Sequence, residues 1–154
     1  MLKRARRIVI SIIGIGAFLS PQAALADPVS KNAENIRKLD IMLMVTALRC
    51  RSGADNFQAE YAAFATAHNA MLNRAGRQLR SQLSHRHGSK GAKRALDRIS
   101  VGMANQYGHG HPWLGCAELK SIARDLSKER DMVRLSAAAD ELLSSRPIGR
   151  YAAL

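Results

Sequence analysis

From Ile36 to Leu142 the apolar residues of this chain recur at intervals of three and four, and alternating Val/Ile/Thr runs of the kind that build strands are absent. That spacing stacks apolar side chains along one side of a helix, turn after turn, and gives a sheet little to build on. Ala, Leu, Arg and Met are frequent, in keeping with helix. The expected fold is all-α, a small antiparallel bundle of four to five helices.

The first helix is expected after Pro28, with Ser30 as cap, and runs to about Cys50. Its stripe is Ile36, Leu39, Leu43, Ala47 and Cys50, and a second stripe of Ile41, Met44, Val45 and Leu48 widens it into a central helix buried on most sides. Ser52-Gly53-Ala54-Asp55 marks a turn, with Asp55 helping to satisfy the next helix's free amides. One long second helix is then expected on Phe57, Tyr61, Phe64, His68, Leu72, Ala75, Leu79 and Leu83, bent at Gly76. His85-Arg86-His87-Gly88-Ser89 ends it, with Gly88 in the left-handed position. A third helix carries Ala92, Leu96, Ile99, Met103 and Tyr107. Gly108-His109-Gly110-His111-Pro112 is a loop, and Pro112 fits the first turn of a fourth helix with Trp113, Leu119, Ile122 and Leu126. Met132, Leu135, Ala139 and Leu142 continue the pattern, either in the same helix or in a fifth joined at Ser127. Pro147 and Gly149 end it.

The amino terminus follows a different logic. Lys3, Arg4, Arg6 and Arg7 precede a short apolar run, Ile8 to Leu19, then Pro21 and Ala24-Leu25-Ala26. This is the pattern of a secretory leader, expected to span 1–26 and to be cleaved between Ala26 and Asp27. The remainder, 27–154, is expected to be a single helical domain, periplasmic or secreted, with no membrane-spanning segment. In an oxidising compartment Cys50 and Cys116 favour a disulfide. An up-down-up-down bundle brings the end of helix 1 and the start of helix 4 to the same pole, where these two cysteines lie. The same topology sets the His109/His111 loop beside that bridge and the His85/His87 turn at the other pole. Trp113 is expected to pack over the bridge.

Charge is the strongest functional signal. The chain holds 24 Lys and Arg against 12 Asp and Glu, a net +12, and removal of the leader leaves +8. Nearly all of that sits in one segment: Arg74, Arg77, Arg80, Arg86, Lys90, Lys93, Arg94 and Arg98 face Asp97 alone, a local +7. These bases fall away from the stripes Ala75, Leu79, Leu83 and Ala92, Leu96, Ile99. A hairpin of helices 2 and 3 would merge them into one positive surface that attracts anions. Between Ala65 and Gln106 no aromatic residue offers a base a stacking partner, so nucleic acid is the weaker candidate. An anionic envelope polymer, a lipid headgroup or an acidic protein fits better.

Catalytic constellations are missing: there is no Gly-x-Ser-x-Gly elbow, no phosphate-cradling loop and no dinucleotide turn outside the leader. No cofactor is expected. His85/His87 and His109/His111 invite a metal, with Glu118 as a third ligand for the second pair, but a stable site needs three or four convergent ligands. The plainer expectation is polar loop residues. His68, on an apolar stripe, reads as a hydrogen-bonded core histidine. Cys116 beside His109 or His111 could make a nucleophile, except that a disulfide consumes it. Asp125, Glu129 and Asp131 alternate with Arg124, Lys128 and Arg130 as solvent-face charge pairs. The run Ile41-Met42-Leu43-Met44-Val45 reads as core, or as an adaptable client-binding surface.

The stretches Arg37-Lys38-Leu39-Asp40-Ile41-Met42-Leu43-Met44, Leu48-Arg49-Cys50-Arg51 and Asp55-Asn56-Phe57, with Lys90 to Ile99 and Gly110-His111-Pro112-Trp113-Leu114-Gly115-Cys116, resemble a small family of exported proteobacterial proteins without an established activity. Some of its members carry the name S-adenosyl-L-homocysteine hydrolase. That enzyme is several times longer and builds a dinucleotide-binding domain, and none of its catalytic residues maps here. In architecture alone the chain is similar to small periplasmic helical chaperones, including acid-stress types held by one disulfide. The resulting expectation is a non-enzymatic exported protein that binds anionic envelope components or acidic proteins through its basic helix 2–3 face. A periplasmic helical chaperone or stress protein is the alternative, and an enzyme of unidentified type comes third.

Overall fold

The computed structural model describes the backbone of residues 28–153 and the side chains of 31–151. The expected leader and its Ala26–Asp27 cleavage point lie outside the described residues. Five α-helices follow in order: α1 (Pro28–Arg49), α2 (Gln58–Ala67), α3 (Asn69–Tyr107), α4 (Cys116–Lys128) and α5 (Met132–Leu142), with a closing 3-10 turn at Gly149–Ala153. Among the described residues there is no strand.

α1 is the central element and packs against each of the other four helices. The first stripe is buried throughout, Leu39 and Leu43 fully so, and Met42 beside it is fully buried too. Each such side chain contributes about 1.5–3 kcal/mol by leaving water. The second stripe is only half absorbed. Ile41 is buried and Val45 partly so, while Met44 and Leu48 reach solvent, because α1's neighbours leave one side of its C-terminal half open. Two polar residues are buried on α1 and both are satisfied. The Thr46 hydroxyl donates to the Met42 carbonyl at 2.8 Å, and Asp40 accepts from Arg37 at 2.6 Å and from the Tyr61 hydroxyl at 3.1 Å.

The cysteines form the Cys50–Cys116 disulfide, joining the end of α1 to the start of α4. Several boundaries differ from those the sequence predicts. α1 is helical from Pro28, which suits a first turn, so Ser30 lies inside the helix and does not cap it. Asn56, not Asp55, serves α2, its side-chain oxygen accepting from the Gln58 amide at 3.0 Å. The long second helix breaks at His68 (φ −110°, ψ 11°), while Gly76 stays helical. α4 starts at Cys116, four residues after Pro112, where Glu118 reaches back to accept from the Gly115 amide at 3.0 Å.

α3 reverses direction at Gly88, where φ is 68° and ψ 170°. Only glycine adopts such a backbone readily. Gly91 completes the corner by leaving room, since a Cβ there would lie 2.7 Å from the His87 Cβ. The two arms, 69–87 and 89–107, fold back on each other and bury Leu79, Ala92 and Ala95 outside the main core cluster. The base of this hairpin, at Ala75, Met103 and Tyr107, belongs to that core.

Past α4 the chain forms two helices and not one. Glu129 accepts from the Arg130 and Asp131 amides at 2.8 Å each, and Asp131 accepts from Val133 at 2.8 Å. Asp131 therefore caps α5 and Glu129 closes the turn before it, so their charge partner is Arg134 and not Arg124, Lys128 or Arg130. Glu129 also holds Arg134 at 2.8 Å, and these bonds pull its carboxyl down to about 2. The tail does not simply trail away, for Tyr151 is buried against the core.

Candidate functional site

All eight bases of the hairpin are exposed: Arg74, Arg77, Arg80 and Arg86 on the first arm, Lys90, Lys93, Arg94 and Arg98 on the second. None is in an ion pair among the described residues. The ion pairs that do form among the described residues lie elsewhere, at Arg37–Asp40, Lys38–Glu34, Arg124–Glu60, Arg134–Glu129 and Arg134–Asp131. Arg77 and Arg80 line a cleft with Leu96 of the opposite arm, whereas Arg98 lines a different one with Leu83 and His87. These three arginines thus border two different clefts.

α1 adds two cations that sequence reasoning missed. Arg37 borders the first cleft, and Lys38 borders the second. Both belong to a helix whose apolar pattern marked it as interior, and the crossing of α3 over α1 is what brings them to the hairpin.

The histidines separate into two kinds. His85, His87 and His109 are exposed, the first two beside the Gly88 corner. His68 and His111 are buried and each closes the end of a helix. His68 Nε2 donates to the Leu126 carbonyl in the last turn of α4, and His111 Nε2 donates to the Leu142 carbonyl at the end of α5, both at 2.8 Å. The expectation of His109 and His111 as a pair of polar loop residues is therefore corrected for His111. Its ring is stacked on Tyr107 at 5.5 Å and meets the Trp113 edge at 4.7 Å. Burial lowers its pKa, against the raising effect of the Leu142 bond. Trp113 donates to the Ser144 carbonyl at 3.2 Å, so its polar tip is anchored at the end of α5.

Glu118, the suggested third ligand, is engaged with the Gly115 amide. Among the described residues no group of three or more His, Cys, Asp or Glu converges as a metal site. Cys116 is in the disulfide and has no free thiol. Of the methionine-containing run, Ile41, Met42 and Leu43 are buried and Met44 is 38% exposed, which leaves little of it to meet a client. Tyr107 is fully buried and its hydroxyl has no hydrogen-bond partner among the described residues. Burial raises its pKa. No helix among the described residues is long and apolar enough to cross a membrane.

Comparison with protein-family models, with curated proteins and with solved structures finds no match.

Proposed function

We propose that this protein is a non-enzymatic helical binder of anionic cell-envelope components, exported by its leader, and that the α3 hairpin is its binding element. One observation carries the reading. Eight bases share one hairpin with a single acid, Asp97, all eight reach solvent, and none is matched by a carboxylate among the described residues. Such a field raises the local concentration of anions and steers them inward. Lipid headgroups, acidic polysaccharide and acidic protein surfaces all present the required charge. The lack of interleaved aromatic residues disfavours nucleic acid.

The test is co-sedimentation with isolated envelope fractions across a salt series, using wild type and a variant with Arg74, Arg77, Arg80 and Lys93 all changed to Gln. A cation near an anionic membrane surface is worth about 1 kcal/mol, so the variant is expected to bind weaker by roughly two orders of magnitude or more. Wild-type binding is expected to fall steeply with salt. Equal binding by the two proteins, or none by wild type at low salt, overturns the proposal.

A further inference from the structure

The cleft between α1 and the two arms of α3 has a more specific chemistry than the surface around it. We propose that it holds one molecule of a phosphate-bearing acyl lipid, its headgroup on Arg77 and Arg80 and its chain across Leu72 and Leu96. This inference rests on the anion-binding reading of the hairpin and narrows it to a ligand class.

The cleft measures about 490 Å3, within the roughly 300–1,000 Å3 of small-molecule sites. Its charged lining is Arg37, Arg77 and Arg80, with no carboxylate among the lining residues. Arg37 is held by Asp40, itself bonded to the Tyr61 hydroxyl, so this edge of the cleft is fixed and its charge largely matched. Arg77 and Arg80 have no ion-pair partner among the described residues, one turn apart on the exposed side of the first arm. Their planar forks suit phosphate oxygens, which accept two parallel hydrogen bonds from each. Leu72 and Leu96 are partly buried and supply apolar surface from opposite arms.

These two halves together select an amphiphile. Inorganic phosphate would satisfy the arginines and leave the leucines in water, while an uncharged hydrocarbon would do the reverse. An acidic peptide would bring backbone amides and carbonyls onto leucine side chains that offer them no partner.

Gly76 points the same way. It has helical dihedrals in mid-arm, and a Cβ built there meets nothing within 4 Å. Neither backbone geometry nor close packing calls for glycine at a place where alanine is favoured. Gly76 lines the cleft beside Arg77 and Leu72, and a larger side chain there would project into its open space.

The probe is 1-oleoyl lysophosphatidic acid, held below its micelle concentration and titrated by calorimetry into protein purified from cells expressing the full 154-residue chain. Saturable one-to-one binding is expected. Inorganic phosphate, and the lysophosphatidylcholine with the same chain and a zwitterionic head, should each bind weaker by roughly tenfold or more. Gly76→Leu fills the cleft and leaves every charge in place, so it should also lose roughly tenfold or more in affinity, at an unchanged or higher thermal midpoint. Ser100→Leu fills the cleft from the other arm and should behave alike. Wild-type affinity in either folded variant overturns the cleft, as does phosphate or lysophosphatidylcholine binding that equals the lipid's. The two readings fail separately. Salt-sensitive envelope binding without lipid binding removes the cleft and keeps the charged surface, whereas no envelope binding at low salt removes the surface reading itself.

Discussion

Gly76→Ala and Gly88→Ala place the same methyl group in the same helical hairpin, and they are expected to move stability in opposite directions. At neither position would a Cβ meet another atom within 4 Å, so packing decides nothing. The backbone does. Gly76 is helical, and alanine there gains about 1 kcal/mol of helix propensity. Gly88 sits at φ 68° and ψ 170°, where any other residue is strained by about 1–3 kcal/mol. The reduced freedom of the unfolded chain returns about 0.4–1 kcal/mol of that. The net expectation is a gain of about 1 kcal/mol at Gly76 and a loss of about 1–2 kcal/mol at Gly88. At about 4 °C per kcal/mol for a domain of this size, the two melting points separate by about 8–12 °C. Thermal denaturation followed by far-ultraviolet circular dichroism measures both. If α3 ran as one uninterrupted helix through Gly88, alanine would be favoured at both positions, so a stabilising Gly88→Ala refutes the hairpin. The sign at that one residue decides between a hairpin and a rod.

Replacing Cys50 and Cys116 together by Ala opens a loop of 66 residues and is expected to cost about 4 kcal/mol if unfolded-chain entropy dominates. Denaturant titration of oxidised wild type against the variant measures it, and a loss below about 1 kcal/mol would count against that account. His111 makes stability depend on pH. Its folded pKa lies below its ordinary 6.5, so the unfolded chain takes up the proton first, and the stability it supplies above pH 6.5 is lost as pH falls through the folded value. His111→Gln keeps a hydrogen-bond donor and removes the titration. The drop in urea midpoint between neutral and mildly acidic pH should therefore be smaller in the variant, and an equal drop in both proteins refutes the role.

Periodicity along α1 was enough to expect a central helix, because Ile41, Met44, Val45 and Leu48 widen the stripe of Ile36, Leu39, Leu43, Ala47 and Cys50 beyond one side. The disulfide was legible for a related reason: residues at the ends of two elements meet if the topology is simple. Gly88 was legible because positive φ has almost one chemical solution. The break at His68 was not. Between Gln58 and Ala75 there is no glycine or proline, and the bend accompanies a hydrogen bond to Leu126, 58 residues away. The same holds at the other end of the molecule. Pro112 is a sound local signal for a helix start, but His111 and Trp113 hydrogen-bond the carbonyls at the end of α5, and the segment stays irregular until Cys116. In both places a side chain closes the end of a distant helix, a demand no local pattern records. The basic surface divides in the same way: that its residues face outward follows from spacing, while the meeting of Arg77 and Arg80 with Arg37 in one cleft, and of Arg98 with Lys38 in another, needs the crossing of α3 over α1.

The location of that charge has an energetic logic of its own. Like charges on one element repel and oppose folding, an effect a domain bears most easily where its core is least involved. The distal arms of α3 meet that condition. Leu79, Ala92 and Ala95 are buried between them but stand apart from the main cluster, so the outer hairpin rests on a few small contacts of its own. Its base joins the core through Ala75, Met103 and Tyr107, with Met71, Leu72 and Ile99 packed against it. The bundle could shed this surplus charge without losing its core, and the acids that could neutralise it are instead committed elsewhere, Glu129 and Asp131 to the start of α5 and Glu60 to Arg124. An anion bound along the arms would relieve the repulsion and stabilise the folded hairpin by mass action.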